Sequence, residues 1–253
     1  MRGLAAVFRA ERVKLRKSWP MLAAILAPVF QPAFLGVILW FSGERIRLFQ
    51  PGFRFWLELN YLTWSLVLMP ITVALVCALS WDQEREARAW NRLLVQPHPC
   101  HLHYLAKLAG HLSLLLLAQI LLALVLPLGG WLLQLNPTLL MGPFPMAIWL
   151  RFAGFAGLGS LAVVAFQTWL SMRFPSLFAA LAAALAGSWL AVRWLDGPAL
   201  AEWLPWGLSG QMVTIFDRHR VLPWAHSLAS LAAAALLIGL GTADFGRQHG
   251  PRA

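Results

Sequence analysis

Six runs of about 20 mostly apolar residues, separated by polar stretches, set the pattern of this chain. They cover Trp19 to Phe41, Tyr61 to Ser80, Leu112 to Leu133, Ile148 to Leu170, Leu177 to Leu195 and Leu222 to Leu240. Each is of the length a helix needs to cross a hydrocarbon core of ~30 Å. The pattern predicts an all-α polytopic membrane protein with six transmembrane helices. Ahead of the first run, Leu4, Val7, Phe8 and Leu15 fall on one helical face, and Arg2, Arg9, Arg12 and Arg16 fall on the other. That arrangement predicts an N-terminal amphipathic interfacial helix over residues 1–18 in the cytoplasmic interface, followed by a six-span domain over 19–253.

Composition agrees with this layout. The chain is 60% hydrophobic and only 12% charged, about half the charge of a soluble domain, and its mean hydropathy is +0.67. The first apolar run is long, follows a basic stretch and has no small-residue cleavage site, so it reads as a span and not as a cleaved signal. With six spans, thirteen of the 20 Lys and Arg residues fall on the side that holds both termini. The positive-inside rule therefore places both termini in the cytoplasm, with the chain in the cytoplasmic (inner) membrane. The net charge of +10 flanks apolar spans, where anionic membrane lipids are nearer partners than nucleic acid, and no nucleic acid is expected. Cys77 in the second span and Cys100 in the following loop cannot meet in this layout, so no disulfide is expected.

Tryptophans support the boundaries: Trp19 and Trp40 bracket the first run, Trp149 and Trp169 the fourth, and Trp131, Trp194 and Trp224 mark other ends. Pro28, Pro32, Pro70 and Pro127 lie inside spans, where neighbours must satisfy the carbonyls they free. Gly154, Gly157 and Gly159 read as a close helix contact.

The search for chemistry is mostly negative. No G-x-x-x-x-G-K-[ST] phosphate loop is present in the chain, so it is not expected to hydrolyse ATP by itself. The span middles offer only neutral polar groups such as Gln31, Gln119 and Gln167, and no buried carboxylate is expected. Ion-coupled transport needs intramembrane ionisable groups, so a separate energy-supplying subunit is the natural alternative.

The informative polar segment is the loop that follows the second span, within residues 81–107. Helix breakers are absent from Trp81 until Pro97, Glu84 and Arg88 are spaced i, i+4, and Trp90, Leu93 and Leu94 share a face. A short cytoplasmic helix with an apolar strip is expected, suited to a groove on a partner. The run Glu86-x-x-x-Trp90-x-x-Leu93-Leu94-x-x-Pro97, then Tyr104-x-x-Lys107 ahead of the third span, resembles the cytoplasmic loop of ABC-2 type permeases. The resemblance is nearest the lantibiotic-immunity branch, although the high Trp and Arg content departs from its Lys-rich members. It covers the whole chain in layout and this loop in residues.

The resemblance implies a permease subunit of an ABC transporter that moves a hydrophobic or amphipathic substrate (a peptide, lipid or drug) outward. It implies a second permease chain, identical or homologous, and a dimer of cytoplasmic ABC ATPase subunits. ATP and Mg are bound by those subunits, and no cofactor is expected in this chain. Glu84, Glu86, Arg88, Trp90, Leu93, Leu94 and Pro97 become ATPase-coupling residues. The family also tends to place short re-entrant helices between the fifth and sixth spans, so Trp203, Pro205 and Trp206, in the extracellular loop 196–221, become gate residues.

Two rivals come from other chemistry. Gly207-Leu208-Ser209-Gly210 matches the G-x-S-G around the nucleophile of rhomboid intramembrane proteases, with His226 as candidate base. The nucleophile must have that base within hydrogen-bond reach, yet Ser209 is expected in an external loop with only the last span after it. His98-Pro99-Cys100-His101-Leu102-His103 offers metal-ligand types, but Pro99 and the tight spacing make a closed four-ligand site awkward, and no metal is assigned.

Overall fold

The computed structural model describes residues 2–42, 52–86, 100–136, 139–193, 203–219 and 221–249. These form helices, joined by turns and one isolated bridge between Gly52 and Met141. In chain order they are α1 (Arg2–Leu15), α2 (Trp19–Phe41), α3 (Phe53–Thr63), a π turn (Trp64–Leu68), α4 (Met69–Glu86), α5 (Cys100–Gln134), α6 (Met146–Arg173), α7 (Leu177–Arg193), α8 (Pro205–His219) and α9 (Trp224–His249).

Five helical stretches are long and apolar enough to cross a membrane: Trp19–Phe41, Phe53–Glu86, His101–Gln134, Met146–Arg173 and Trp224–Gln248. The expected fifth span corresponds to α7, which is apolar and of which 17 residues, Leu177–Arg193, are described. The protein is thus an all-helical, multi-pass membrane protein with five such stretches among the described residues.

Local chemistry explains how prolines fit inside these helices. Ser18 caps α2, its hydroxyl accepting from the Met21 N–H, and Pro20 follows in the first turn, where its missing N–H costs nothing. Pro127 cannot donate to the Ala123 carbonyl one turn earlier. The Trp149 indole N–H of α6 donates to that carbonyl at 3.1 Å. Pro70 stands just after the π turn, whose wider loop is closed by the Met69 N–H on the Trp64 carbonyl. A proline ring crowds the carbonyl four residues before it, and one extra residue in the turn relieves that clash.

Helices α2, α4, α5 and α6 pack around one buried core, and α9 runs along α6 and α5. Trp56, Tyr61, Trp64, Phe152 and Phe216 are buried in full. Gly129 and Gly130 of α5 make room for the rings of Trp56 and Phe53, and the Trp56 indole donates to the Leu126 carbonyl at 2.8 Å. Of the three glycines expected to form a close helix contact, only Gly159 does so; a Cβ on Gly154 or Gly157 meets nothing within 4 Å.

The segment expected as an external loop contains α8, which is packed into the bundle. Its Trp206 ring meets Phe166 at 4.9 Å, Ser209 lies against Ala156 and Gly159, and Phe216 meets Phe152 and Phe155. The helix therefore runs antiparallel to α6, with its first turn beside the middle of that helix. The sequence hid this because α8 is amphipathic and not uniformly apolar. Two of its polar side chains bond within the protein, Thr214 to the Gly210 carbonyl and Ser209 to the Ala156 carbonyl.

Candidate functional site

At the end of the bundle that carries α1, four charged side chains from three helices close into a ring. Glu11 and Lys14 come from α1, Glu84 from the last turn of α4, and Lys107 from the third turn of α5. Lys14 Nζ donates to Glu84 Oε1 at 2.7 Å and to Glu11 Oε2 at 3.2 Å. Lys107 Nζ lies 3.1 Å from both Glu11 Oε1 and Glu84 Oε1 and donates to the Ser80 carbonyl at 3.2 Å. All three donors of this ammonium have acceptors, as its burial requires. It also sits 5.0 Å over the Trp81 ring.

Two carboxylates face two ammoniums, so the ring is neutral as a whole. Burial pushes the Glu11 carboxyl up, but Lys107 and Lys14 together outweigh it and hold the group below its ordinary value. Burial likewise pushes Lys14 down, and Glu11 and Glu84 together raise it above the usual lysine value.

The expectation of no buried carboxylate is therefore corrected: Glu11 and Glu84 are both buried. They lie outside the span middles, and their charge is tolerated because two lysines meet them there. Glu84 pairs with Lys14 and Lys107, residues 70 positions before it and 23 after it in the chain; Arg88, spaced i, i+4 from it, lies outside the described residues. Glu11 could have been suspected from the sequence, since it continues the apolar face of Leu4, Phe8 and Leu15 at helical spacing. Lys107 was noticed only as part of the loop pattern.

A second, aromatic clamp lies beside the ring. Phe245 of α9 sits against Trp81 of α4 and Tyr104 of α5, with ring centroids 6.2 and 6.1 Å away. Gly241 leaves room for the Tyr104 ring. Asp244 accepts from the Trp169 indole at 3.2 Å and pairs with Arg173 at 3.8 Å. The chain that leaves α4 and returns as α5 is thus fastened at both roots, to α1 on one side and to α9 on the other.

Of the expected coupling residues, Glu84 is in the ring and Glu86 is the exposed last residue of α4. Arg88, Trp90, Leu93, Leu94 and Pro97 lie outside the described residues, as do His98 and Pro99 of the histidine-rich stretch. Among the expected gate residues, Pro205 begins α8, Trp206 fits the notch left by Gly187 of α7, and Trp203 stacks on His226 with centroids 4.7 Å apart.

One turn beyond Lys107, sequence reasoning also missed His111. The ring is buried, with Nδ1 2.9 Å from Thr168 Oγ1 and 3.4 Å from Cys77 Sγ. It escaped notice because the third apolar run was taken to begin at Leu112, whereas α5 begins at Cys100.

The rhomboid-like reading meets a different geometry. Ser209 lies in α8 and not in an external loop, is buried, and donates its hydroxyl proton to the Ala156 carbonyl at 3.2 Å. A hydroxyl held by a backbone carbonyl is not poised against a base.

Comparison with known families decides between these classes. The family model described as ABC-2 family transporter protein matches residues 7–189, well over half of the chain. The chain belongs to the ABC-2 transporter family. It is a membrane permease subunit of a transporter. Members of this family typically work with an ABC ATPase subunit. No curated protein matches the chain. In this ABC-2 permease the matched region includes α1 from Val7 onward, both roots of the 87–99 segment and the whole charge ring.

Proposed function

We propose that this permease moves a hydrophobic or amphipathic substrate outward, powered by a dimer of ATPase subunits that bind ATP and Mg at the α1 end. In this reading the α1 end faces the cytoplasm, in keeping with the bias of Lys and Arg toward that side. Helix α1 lies along the interface, and α7 is the fifth of six spans. A second permease chain, identical or homologous, completes the path.

The observation that carries this reading is the double fastening of the roots of the 87–99 segment. A displacement of that segment by a partner would be passed to α4, α5, α1 and α9 together. Trp90, Leu93 and Leu94 supply an apolar strip for a groove on the ATPase, and Glu86 and Arg88 set its register. On the extracellular side of the path, α8 with Trp203, Pro205 and Trp206 forms the gate, its first turn packing between α6 and α7. ATP binding then stabilises one of two arrangements of the spans relative to the other. The interior offers few charges to a cargo, which favours an amphipathic molecule drawn partly from the bilayer.

Recovery of the ATPase with tagged permease, at matched protein levels, tests the coupling assignment. Glu86→Lys and Trp90→Ala should each reduce ATPase recovery and abolish transport while the permease still inserts. Unchanged recovery and transport in both variants would remove these residues from the coupling site.

A further inference from the structure

We propose that the groove between α1 and α5 binds the headgroup of an anionic phospholipid, one of whose acyl chains lies along the outer face of α5. The groove has a volume of about 410 Å³ and is lined by Phe8, Arg9 and Arg12 of α1 and by Ala106, Ala109 and Ser113 of α5, among others. Arg9 and Arg12 are three residues apart, hence on one helical face, and both are exposed. The carboxylate in the groove, Glu11, has one oxygen held by Lys107 and the other by Lys14. Among the described residues the two guanidiniums therefore have no acidic partner. Their planar forks suit the oxygens of a phosphodiester.

What commits the groove to a lipid and not to a soluble anion is the surface that continues from it. Leu116, Ile120 and Leu124 follow Ala109 and Ser113 at spacings of three and four, so they extend the same face of α5. They are 62%, 48% and 58% exposed. A free phosphate would use the arginines and gain nothing from this stripe. A phospholipid uses both, with its phosphate at the interface and its chain on the apolar residues below. The inference depends on the chain lying in a bilayer, and it is independent of the cargo and of the coupling site.

Native mass spectrometry of the purified full-length protein tests this, using phosphatidylglycerol and phosphatidylcholine with the same acyl chains. Phosphatidylglycerol should be retained about tenfold better by the wild type. The Arg9→Gln, Arg12→Gln double variant should bring the two lipids to parity. Ala109→Phe, which fills the groove and keeps both arginines, should do the same. Arg247→Gln, at an exposed arginine on α9, should leave the preference unchanged. A double variant that keeps the wild-type preference overturns the proposal, and so does an equal loss in Arg247→Gln, which would indicate diffuse surface charge. Competition by soluble glycerol 3-phosphate would reassign the groove to a free phosphate. Retention confined to the dimer peak would mean that a second copy covers it, and would equally overturn the site.

Discussion

The two ends of this permease's transmission are fastened by different physics. Around Lys107, charges from α1, α4 and α5 meet in a buried ring whose parts are individually costly and mutually necessary. Around α8, the contacts are ones of shape. A Cβ on Gly159 would come 2.3 Å from Ser209 Cα, one on Gly187 would come 2.2 Å from the Trp206 ring, and one on Gly210 would come 2.3 Å from Leu66. The ring discriminates by charge and tolerates modest displacement, because the lysine stems are flexible. The notches discriminate by distance and take no account of charge. An element that must move while it stays attached is better served by the first, and an element that must seal by the second.

The sharpest way to break this contrast is to remove one member of the ring. Lys107→Met leaves Glu11 and Glu84 buried with only the half-exposed Lys14 to share, and breaking a buried pair costs about 3–5 kcal/mol. Thermal melting in detergent should show the largest loss here. Adding Glu11→Gln should restore part of it, because one orphaned charge disappears. No recovery in the double variant would mean that Lys107 acts through packing on Trp81 alone.

The next effect in size belongs to the notches. Gly159→Ala forces α8 away from α6 against backbone, and overpacking of this kind costs about 1–3 kcal/mol. Gly154→Ala, five residues earlier on the same helix with nothing within 4 Å, should stay within about 0.5 kcal/mol of wild type. Similar melting temperatures for the two variants would mean that α8 is not held by shape.

The smallest expected effect is one of pH, and it separates the regions cleanly. Because the Glu11 carboxyl is held below its ordinary value, its contribution is present above ~4.3, the unfolded value, and is lost as pH falls through the lowered folded value. Lys14 is raised, so its contribution is present below ~10.4 and lost as pH rises through the raised value. Wild-type melting temperature should therefore fall at both extremes, with a shallower acid limb in Glu11→Gln. Gly159→Ala should shift the whole curve without changing its shape.

Much of the bundle was legible from apolar run length alone. The first run coincides with α2, and the fourth falls inside α6, because lipid-facing and buried positions there are both apolar. Legibility failed where polar residues find partners far along the chain. The third run was cut at Leu112 since Tyr104, Lys107 and His111 look like loop residues, yet each is buried against another helix. Glu11 and Lys107 are 96 positions apart, beyond any local pattern. The residues of α8 read as loop, and only the family resemblance implies a short re-entrant helix there, because its burial depends on glycines in α6 and α7 that have no signature of their own. The 87–99 segment carries the residues of the family resemblance, and its placement lies outside the described residues.

The π turn at Trp64–Leu68 acts like a phase shifter in a screw thread. It holds one residue more than an ordinary turn, so the stretch above it and the stretch below it are offset by about 100° from what a continuous helix would give. Trp56 and Tyr61 on one side, and Cys77 and Glu84 on the other, are buried with that offset in place. A deletion of one residue within 64–68 should therefore convert the π turn into an ordinary one and keep Glu84 facing the ring, although Pro70 would then crowd the carbonyl four residues before it. Losing one residue between 71 and 83 would instead rotate Glu84 about a quarter of the way around the helix and turn it out of the ring.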